Sequence, residues 1–365
     1  MRLVIILHYN NWNHYHFLEK VFEAIVLNKF KIKNILSLTI FSCMTGLSSC
    51  GIQPGSNIAK AEDKPAIVAS HNILCDLIDT IAEDTVDLTC LIDSDRDPHT
   101  YSPTPSQRKA MEKAQLILYG GYQLEPQIIQ LIEATETSSP KLAVYEQVVA
   151  EPIMSEHEGH EGHEEHEEHE EHEEHEETAT QEKELEPDPH VWHNVEHVVA
   201  MVELIQPILL QLNPSQATTY LQNSSATIEN LWQLDAWIKE QIETIPEGKR
   251  ILVTTHNSLN YYVRAYRLEE YKTLQGLSSE SSPTASQLKD LATEIEQTEV
   301  PTIFVEFTAS DRVMNNVARA ANVELASEKL FVDGLGEANS YIGMMSHNTC
   351  TIVNGLNGNC QPFEK

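Results

Sequence analysis

Three histidines outside the one low-complexity tract stand where loops would present them. His99 lies in Asp97-Pro98-His99-Thr100-Tyr101, His190 lies in Asp188-Pro189-His190-Val191-Trp192, and His256 follows the run Ile251 to Thr255. A carboxylate, Asp333, follows Leu330-Phe331-Val332 in the same manner. In the repeated Asp-Pro-His, proline fixes the backbone ahead of the histidine, and the aspartate is an acceptor suited to orienting the ring. Three neutral imidazoles and one carboxylate form the donor set of tetrahedral zinc, with Zn–N of about 2.0–2.1 Å. Four protein donors leave no position for an activated water. A secreted zinc hydrolase would need such a position and a base beside it. The chain has no H-E-x-x-H helix, no G-x-S-x-G and no Cys/His nucleophile pattern.

A second group of histidines has a different character. His157, His160, His163, His166, His169, His172 and His175 recur every third residue among Glu and Gly. A period of three suits neither a helix face nor a strand face, and the composition has no apolar area to bury. Residues 153–186 are therefore expected to be disordered without metal. Imidazole and carboxylate both bind divalent metals. Flexible ligands lose entropy on binding, so affinity there is expected to be modest and multi-site, that of a collector, buffer or sensor. Between Glu151 and Glu186 there are 17 Glu and one Lys, a net of −16, which is half of the chain's formal −32. That balance argues against nucleic acid as a partner and suits a cation.

The elements that must position these residues read as βα units. Ala66–Ala69, Val86–Ile92, Leu116–Tyr119 and Leu142–Val144 are expected strands. Asn72–Ala82, Ser106–Ala114 and Leu124–Thr135 are expected helices between them. Beyond the tract, Val195–Leu212 is helical up to Asn213-Pro214. Ser215–Ile245, with apolar Leu221, Ile228, Leu231, Leu234, Ile238 and Ile242, predicts one long helix able to bridge two lobes. Ile251–Thr254 then opens a second set: helices at Tyr261–Tyr266, Ser286–Gln297 and Arg312–Ala321, strands at Thr302–Val305 and Leu330–Val332, and a terminal helix around Thr349–Asn354. The expected fold is α/β, with two βα lobes and parallel-type sheets joined by one long rigid helix. The expected divisions are an N-terminal lobe over 65–212, a linking helix over 213–246 and a C-terminal lobe over 247–365. Sites in such sheets gather beyond strand ends, where loops from separate strands converge.

Residues 1–50 read as an N-terminal extension and export signal. Lys29, Lys31 and Lys33 precede the apolar run Ile35–Leu47, too short to span a bilayer, and Leu47-Ser48-Ser49-Cys50-Gly51 follows. This resembles a bacterial lipobox, in which Cys50 becomes the lipidated first residue. Export leaves Cys75, Cys90, Cys350 and Cys360, which permit two disulfides in any of three pairings, or small buried thiols.

Taken together, these motifs resemble the zinc- and manganese-binding receptors of ABC importers, the ZnuA type in particular, from about residue 65 to 365. Asp97-Pro98-His99-Thr100-Tyr101 with Pro103-Thr104-Pro105-Ser106, the His/Glu-rich insertion, Asp188-Pro189-His190-Val191-Trp192, Thr255-His256, Leu330-Phe331-Val332-Asp333 and Thr351-Ile352-Val353-Asn354-Gly355-Leu356 carry the resemblance. It implies an extracytoplasmic monomer that binds Zn2+ as transported ligand in the cleft between the two lobes, through His99 and His190 of the first lobe and His256 and Asp333 of the second. It also implies delivery to an ABC permease and its ATPase. Some relatives are credited with surface adhesion. Manganese-type members often carry Glu where His256 stands, so His256 favours zinc over the rival manganese receptor. His193 departs from the family, standing where relatives usually have an apolar residue. With His197 one helical turn on, it reads as a solvated face or an accessory surface pair. His71 and His347 read as structural, and Glu306 as a partner behind a ligand.

Overall fold

The computed structural model describes residues 64–156, 185–279 and 283–364. Cys50, the seven tract histidines and the segment 1–50 lie outside the described residues. The first sheet has four parallel strands in the order β2-β1-β3-β4: β1 Ala66–Ala69, β2 Asp87–Cys90, β3 Leu116–Tyr119 and β4 Lys141–Ala143. A parallel sheet must be covered on both faces, so its inner strands are apolar throughout. Side chains of successive residues point to opposite faces. Val68 and Ile117 accordingly pack with Met111, Ile128 and Ile132, while Ile67, Ala69, Leu116 and Leu118 join the larger core on the other side.

The connecting helices are α1 Asn72–Ala82, α2 Pro105–Lys113, α3 Pro126–Ala134 and α4 Val144–Val148. Helix α2 begins at a capping box, in which Thr104 accepts from the Gln107 amide and the Gln107 side chain accepts from the Thr104 amide. Gln107 Nε2 also donates to Leu91 O and to the Tyr101 hydroxyl, which ties down the loop carrying His99. An antiparallel pair, β5 Met154–Glu156 and β6 Leu185–Pro187, flanks the tract. The margins of the 153–186 insertion are thus paired backbone rather than irregular chain. Ile153 N donates to the Tyr261 hydroxyl, and Asn257 and Asn260 donate to Ser155 Oγ.

Helix α5 is Val195–Leu212 and α6 is Ala217–Glu243, 27 residues or about 40 Å at 1.5 Å per residue. The buried residues of α6 recur at helical spacing: Tyr220, Ser224, Thr227, Leu231, Leu234, Ile238 and Gln241. That stripe packs against α1 and α5 of the first lobe and against the terminal helix α10, Tyr341–Gly355. The Tyr220 hydroxyl meets Thr85 Oγ1 at one end, and Trp237 Nε1 donates to Gln361 O at the other. The helix is anchored to both lobes.

The second lobe has a more broken sheet than its sequence suggests. β7 Ile251–Thr254 pairs in parallel with β8 Glu270–Thr273, and β9 Thr302–Ile303 with β10 Glu324–Leu325. Phe304 N donates to Val253 O and joins the two pairs. Helices α7 Asn260–Tyr266, α8 Ala285–Glu296 and α9 Asp311–Ala320 complete the lobe. The expected strand Leu330–Val332 makes only a single bridge, Leu330 to Glu306, because the chain leaves the sheet there to reach the other lobe. The disulfides are local, Cys75–Cys90 and Cys350–Cys360.

Candidate metal centre

The chain turns the two lobes toward each other at the carboxyl ends of their strands. His99 comes from the loop after β2, His190 from the turn before α5, His256 from the residue pair after β7, and Asp333 from the exit of the irregular strand. One donor atom from each lies within 4.8 Å of all the others, and all four residues are buried. His99 Nε2 is 3.2 Å from His190 Nε2, and His256 Nε2 is 3.2 Å from Asp333 Oδ1. Asp333 Oδ1 is 3.8 Å from Nε2 of both His99 and His190. A tetrahedral ion with bonds of about 2.0–2.1 Å has ligand–ligand edges of about 3.4 Å, and these four separations, from 3.2 to 3.8 Å, lie close to that. Buried polar atoms are almost always satisfied. Here His256 Nε2 and Asp333 Oδ1 face each other at 3.2 Å and neither has a hydrogen-bond partner elsewhere.

Three of the four donors are aimed by a neighbour. Asp188 Oδ1 accepts both the His190 amide at 2.9 Å and Nδ1 at 2.8 Å, while Oδ2 accepts from Asn260 at 3.0 Å. Glu306 does the same for His256, taking its amide at 2.9 Å and its Nδ1 at 2.5 Å. Glu306 thus lies directly against the His256 ring. With Nδ1–H donating backward, Nε2 of His190 and of His256 faces the cleft. Thr308 Oγ1 donates to Asp333 Oδ2 at 2.7 Å, which leaves Oδ1 facing the imidazoles. No sequence signal marks Thr308 or Asn260 for these tasks, because both act across chain distances that only the fold closes.

The two Asp-Pro-His motifs are not equivalent. Asp97 Oδ1 holds the His99 amide at 2.9 Å but not its ring, and its Oδ2 accepts from the Ser279 hydroxyl of the other lobe. That contact ties Ser279 to the first lobe. His193 and His197 correct the sequence reading more strongly. His193 is fully buried, in a turn before α5 rather than on it, and its Nε2 lies 2.9 Å from Val332 O. His197 Nδ1 donates to Val191 O, and the ring packs edge-on to Tyr261. His193 is therefore not on a solvated face, and His197 is half-buried with Nδ1 committed to a carbonyl. His71 is also fully buried, between the Tyr145 hydroxyl and Asp333 O. His347 stacks on Phe331.

The electrostatics divide the imidazoles. Burial, reinforced by the neighbouring rings, lowers His99 to about 4 and His190 to about 3. Both are neutral lone-pair donors at pH 7. At His256 burial also opposes the charge, but Glu306 and Asp333 outweigh it and raise the pKa well above 6.5. Burial alone would raise Asp333, yet His256, His99 and His190 hold it below the usual carboxylate range. Burial lifts Asp188 to about 7 against its hydrogen bonds. A cavity of about 810 Å³ lined by residues such as His197, Arg264 and Arg267 contains none of the four donors. A single ion needs contact rather than volume, so the buried cluster is the centre.

Residues 67–355 match the family described as zinc-uptake complex component A, periplasmic. The chain is 30% identical over 321 residues to the manganese ABC transporter substrate-binding lipoprotein ScaA of Streptococcus gordonii, covering 85% of this chain and 94% of that protein. It is 30% identical over 311 residues to the zinc-binding protein TroA of Treponema pallidum, covering 83% and 92%. The solved structure of the periplasmic zinc-binding protein TroA superimposes with a TM-score of 0.68 at 29% identity, covering 80% of this chain and 99% of that one. The family consists of transport receptors rather than enzymes, and its members work with a membrane permease and its ATPase. Two α/β lobes on a bridging helix, closed over a buried His3Asp cluster built for a divalent transition metal, identify this chain as a member of that family, an extracytoplasmic metal-binding receptor of an ABC importer.

Proposed function

We propose that the ion carried is zinc, bound by His99, His190, His256 and Asp333 and delivered to the permease by a monomeric receptor. The observation that supports this reading is the donor set itself: three imidazole nitrogens and one carboxylate oxygen, buried and within 4.8 Å of one another. Nitrogen-rich four-coordination suits zinc, whereas manganese favours more oxygen donors and a higher coordination number. Binding closes the small gap between lobes locally, since α6 is anchored at both ends. The tract histidines His157 to His175 collect or sense metal at low affinity, and Cys50 carries a lipid anchor.

A manganese receptor is the second reading, favoured by the name of the Streptococcus gordonii relative. Metal analysis of the purified protein, intact and with residues 157–184 removed, tests the proposal together with competition between the two metals. One tightly held zinc per chain should survive the deletion and resist excess manganese. Displacement by stoichiometric manganese would overturn the assignment. The deletion stops short of Met154–Glu156 and Leu185–Pro187 because that pair is part of the fold.

A further inference from the structure

Resting on the assignment of Asp333 as a metal ligand, we infer that His71 and His193 are positioning residues: two buried imidazoles of the first lobe that hold the backbone of Asp333, a residue of the second. His193 Nε2 is 2.9 Å from Val332 O, and His71 Nε2 is 2.9 Å from Asp333 O. Two consecutive carbonyls are thus each held by a histidine. A carbonyl only accepts, so both rings must present Nε2–H. That nitrogen is then committed and cannot bind metal, consistent with the absence of both residues from the donor cluster. The tautomer of His71 is further set by the Tyr145 hydroxyl, 2.6 Å from Nδ1 and oriented to donate to it. Both rings are fully buried, and His71 packs at 4.7 Å between ring centroids against Trp192.

The need for these donors follows from the fold. Residues 331–333 leave the second-lobe sheet after the single Leu330 bridge, so the carbonyls of Val332 and Asp333 have no ladder partner there. Buried carbonyls left unpaired are costly, and the first lobe supplies the partners. The same lobe holds the chain further on. Asn72 Oδ1 accepts from Leu335 N at 2.9 Å, Asp76 Oδ2 from Tyr341 N at 2.8 Å, and Ser94 O from Gly336 N at 3.2 Å. The fit is close enough that a Cβ on Gly334 would lie 2.6 Å from Asn72 Nδ2. With its backbone held from one lobe and Oδ2 held by Thr308 of the other, the Asp333 carboxylate can present Oδ1 to the three imidazoles in only a narrow range of positions.

The test measures zinc affinity by competition with a chromophoric chelator, on the full chain, for His71→Leu, His193→Leu, His71→Gln, Asp333→Ala and the double variant His71→Leu/Asp333→Ala. Loss of a group that orients a ligand costs about 10–100-fold in metal affinity. Each Leu variant should show that loss. The Gln variant, whose amide nitrogen can stand where Nε2 stands and donate to Asp333 O, should recover to within a few-fold of the parent. In the Asp333→Ala background, His71→Leu should cost little more, because the residue it positions is gone. If a Leu variant does not fold, Tyr145→Phe replaces it; that change removes only the donor to His71 Nδ1 and should weaken binding several-fold. The inference is overturned if Asp333→Ala loses affinity while the His71 and His193 variants do not, if Gln is as poor as Leu, or if the His71 effect persists undiminished without Asp333. Tight zinc binding by Asp333→Ala alone would instead overturn the ligand assignment, and the inference with it.

Discussion

Zinc binding near neutral pH should release close to one proton, and that proton should come from His256. His99 and His190, held at about 4 and about 3, are already neutral and have none to give. Asp333 is already ionised. His256 alone is raised, with Nδ1 2.5 Å from Glu306 Oε2 and Nε2 3.2 Å from Asp333 Oδ1. In the metal-free cleft it is an imidazolium bracketed by two carboxylates, and an ion arriving at Nε2 must displace its proton. Calorimetric titration with zinc at about pH 7.5, in buffers of differing ionisation enthalpy, reads the number of protons as the slope of heat against buffer enthalpy. That pH keeps Asp188, raised by burial to about 7, mostly ionised and so a minor contributor. The expected slope is about one. Glu306→Gln should reduce it, because the amide cannot hold the imidazolium, and should weaken zinc by about 10–100-fold. A slope near zero would show His256 neutral in the free site, and a slope near three would show all the imidazoles charged. Either would refute the electrostatic reasoning.

Other expectations follow from the same geometry. Single replacement of His99, His190, His256 or Asp333 by Ala should weaken zinc by more than the 10–100-fold typical of losing an orienting partner, measured by chelator competition. The metal-free protein should lose stability as pH falls from about 6.5 toward 4: burial lowers His71 to about 4 and His193 to about 3, so the unfolded chain takes up protons that the folded one refuses. His99 and His190, also lowered, add to this, while His256, Asp188 and Glu125, all raised, have the opposite sign and offset part of it, so denaturant midpoints should fall toward acid by less than the sum of the four lowered imidazoles. Replacing Cys75 and Cys90 by Ser opens a bridge of sequence separation 15 and should cost about 3 kcal/mol, read as a lower unfolding midpoint that reductant on the parent reproduces in part.

Much of this protein is local chemistry and was legible as such. Apolar runs of strand length between helical periods established the βα order, because a sheet covered on both faces leaves its inner strands no polar side. The long helix was legible from the spacing of Leu231, Leu234, Ile238 and Ile242, although Leu221 of that expected stripe is exposed and Tyr220 is buried in its place. His99, His190, His256 and Asp333 could be singled out because each follows a strand or a proline-fixed turn, where side chains are free to face a cleft. The extent of the second-lobe sheet was less legible, since Leu330–Val332 has the composition of a strand yet leaves the ladder to meet the first lobe.

Tertiary structure alone decided which polar groups serve the four. The two Asp-Pro-His motifs are identical in sequence, yet Asp188 holds a ring while Asp97 holds only an amide and a serine of the other lobe. His193 has the spacing of a surface partner for His197 but lies buried under Val332. Such assignments depend on a donor and an acceptor separated by tens to hundreds of residues coming within about 3 Å, in a cleft dry enough that each must find the other. The sequence records which groups can donate or accept. Which of them meet is settled by the packing of two lobes on one helix, a property of the whole chain that no local segment contains.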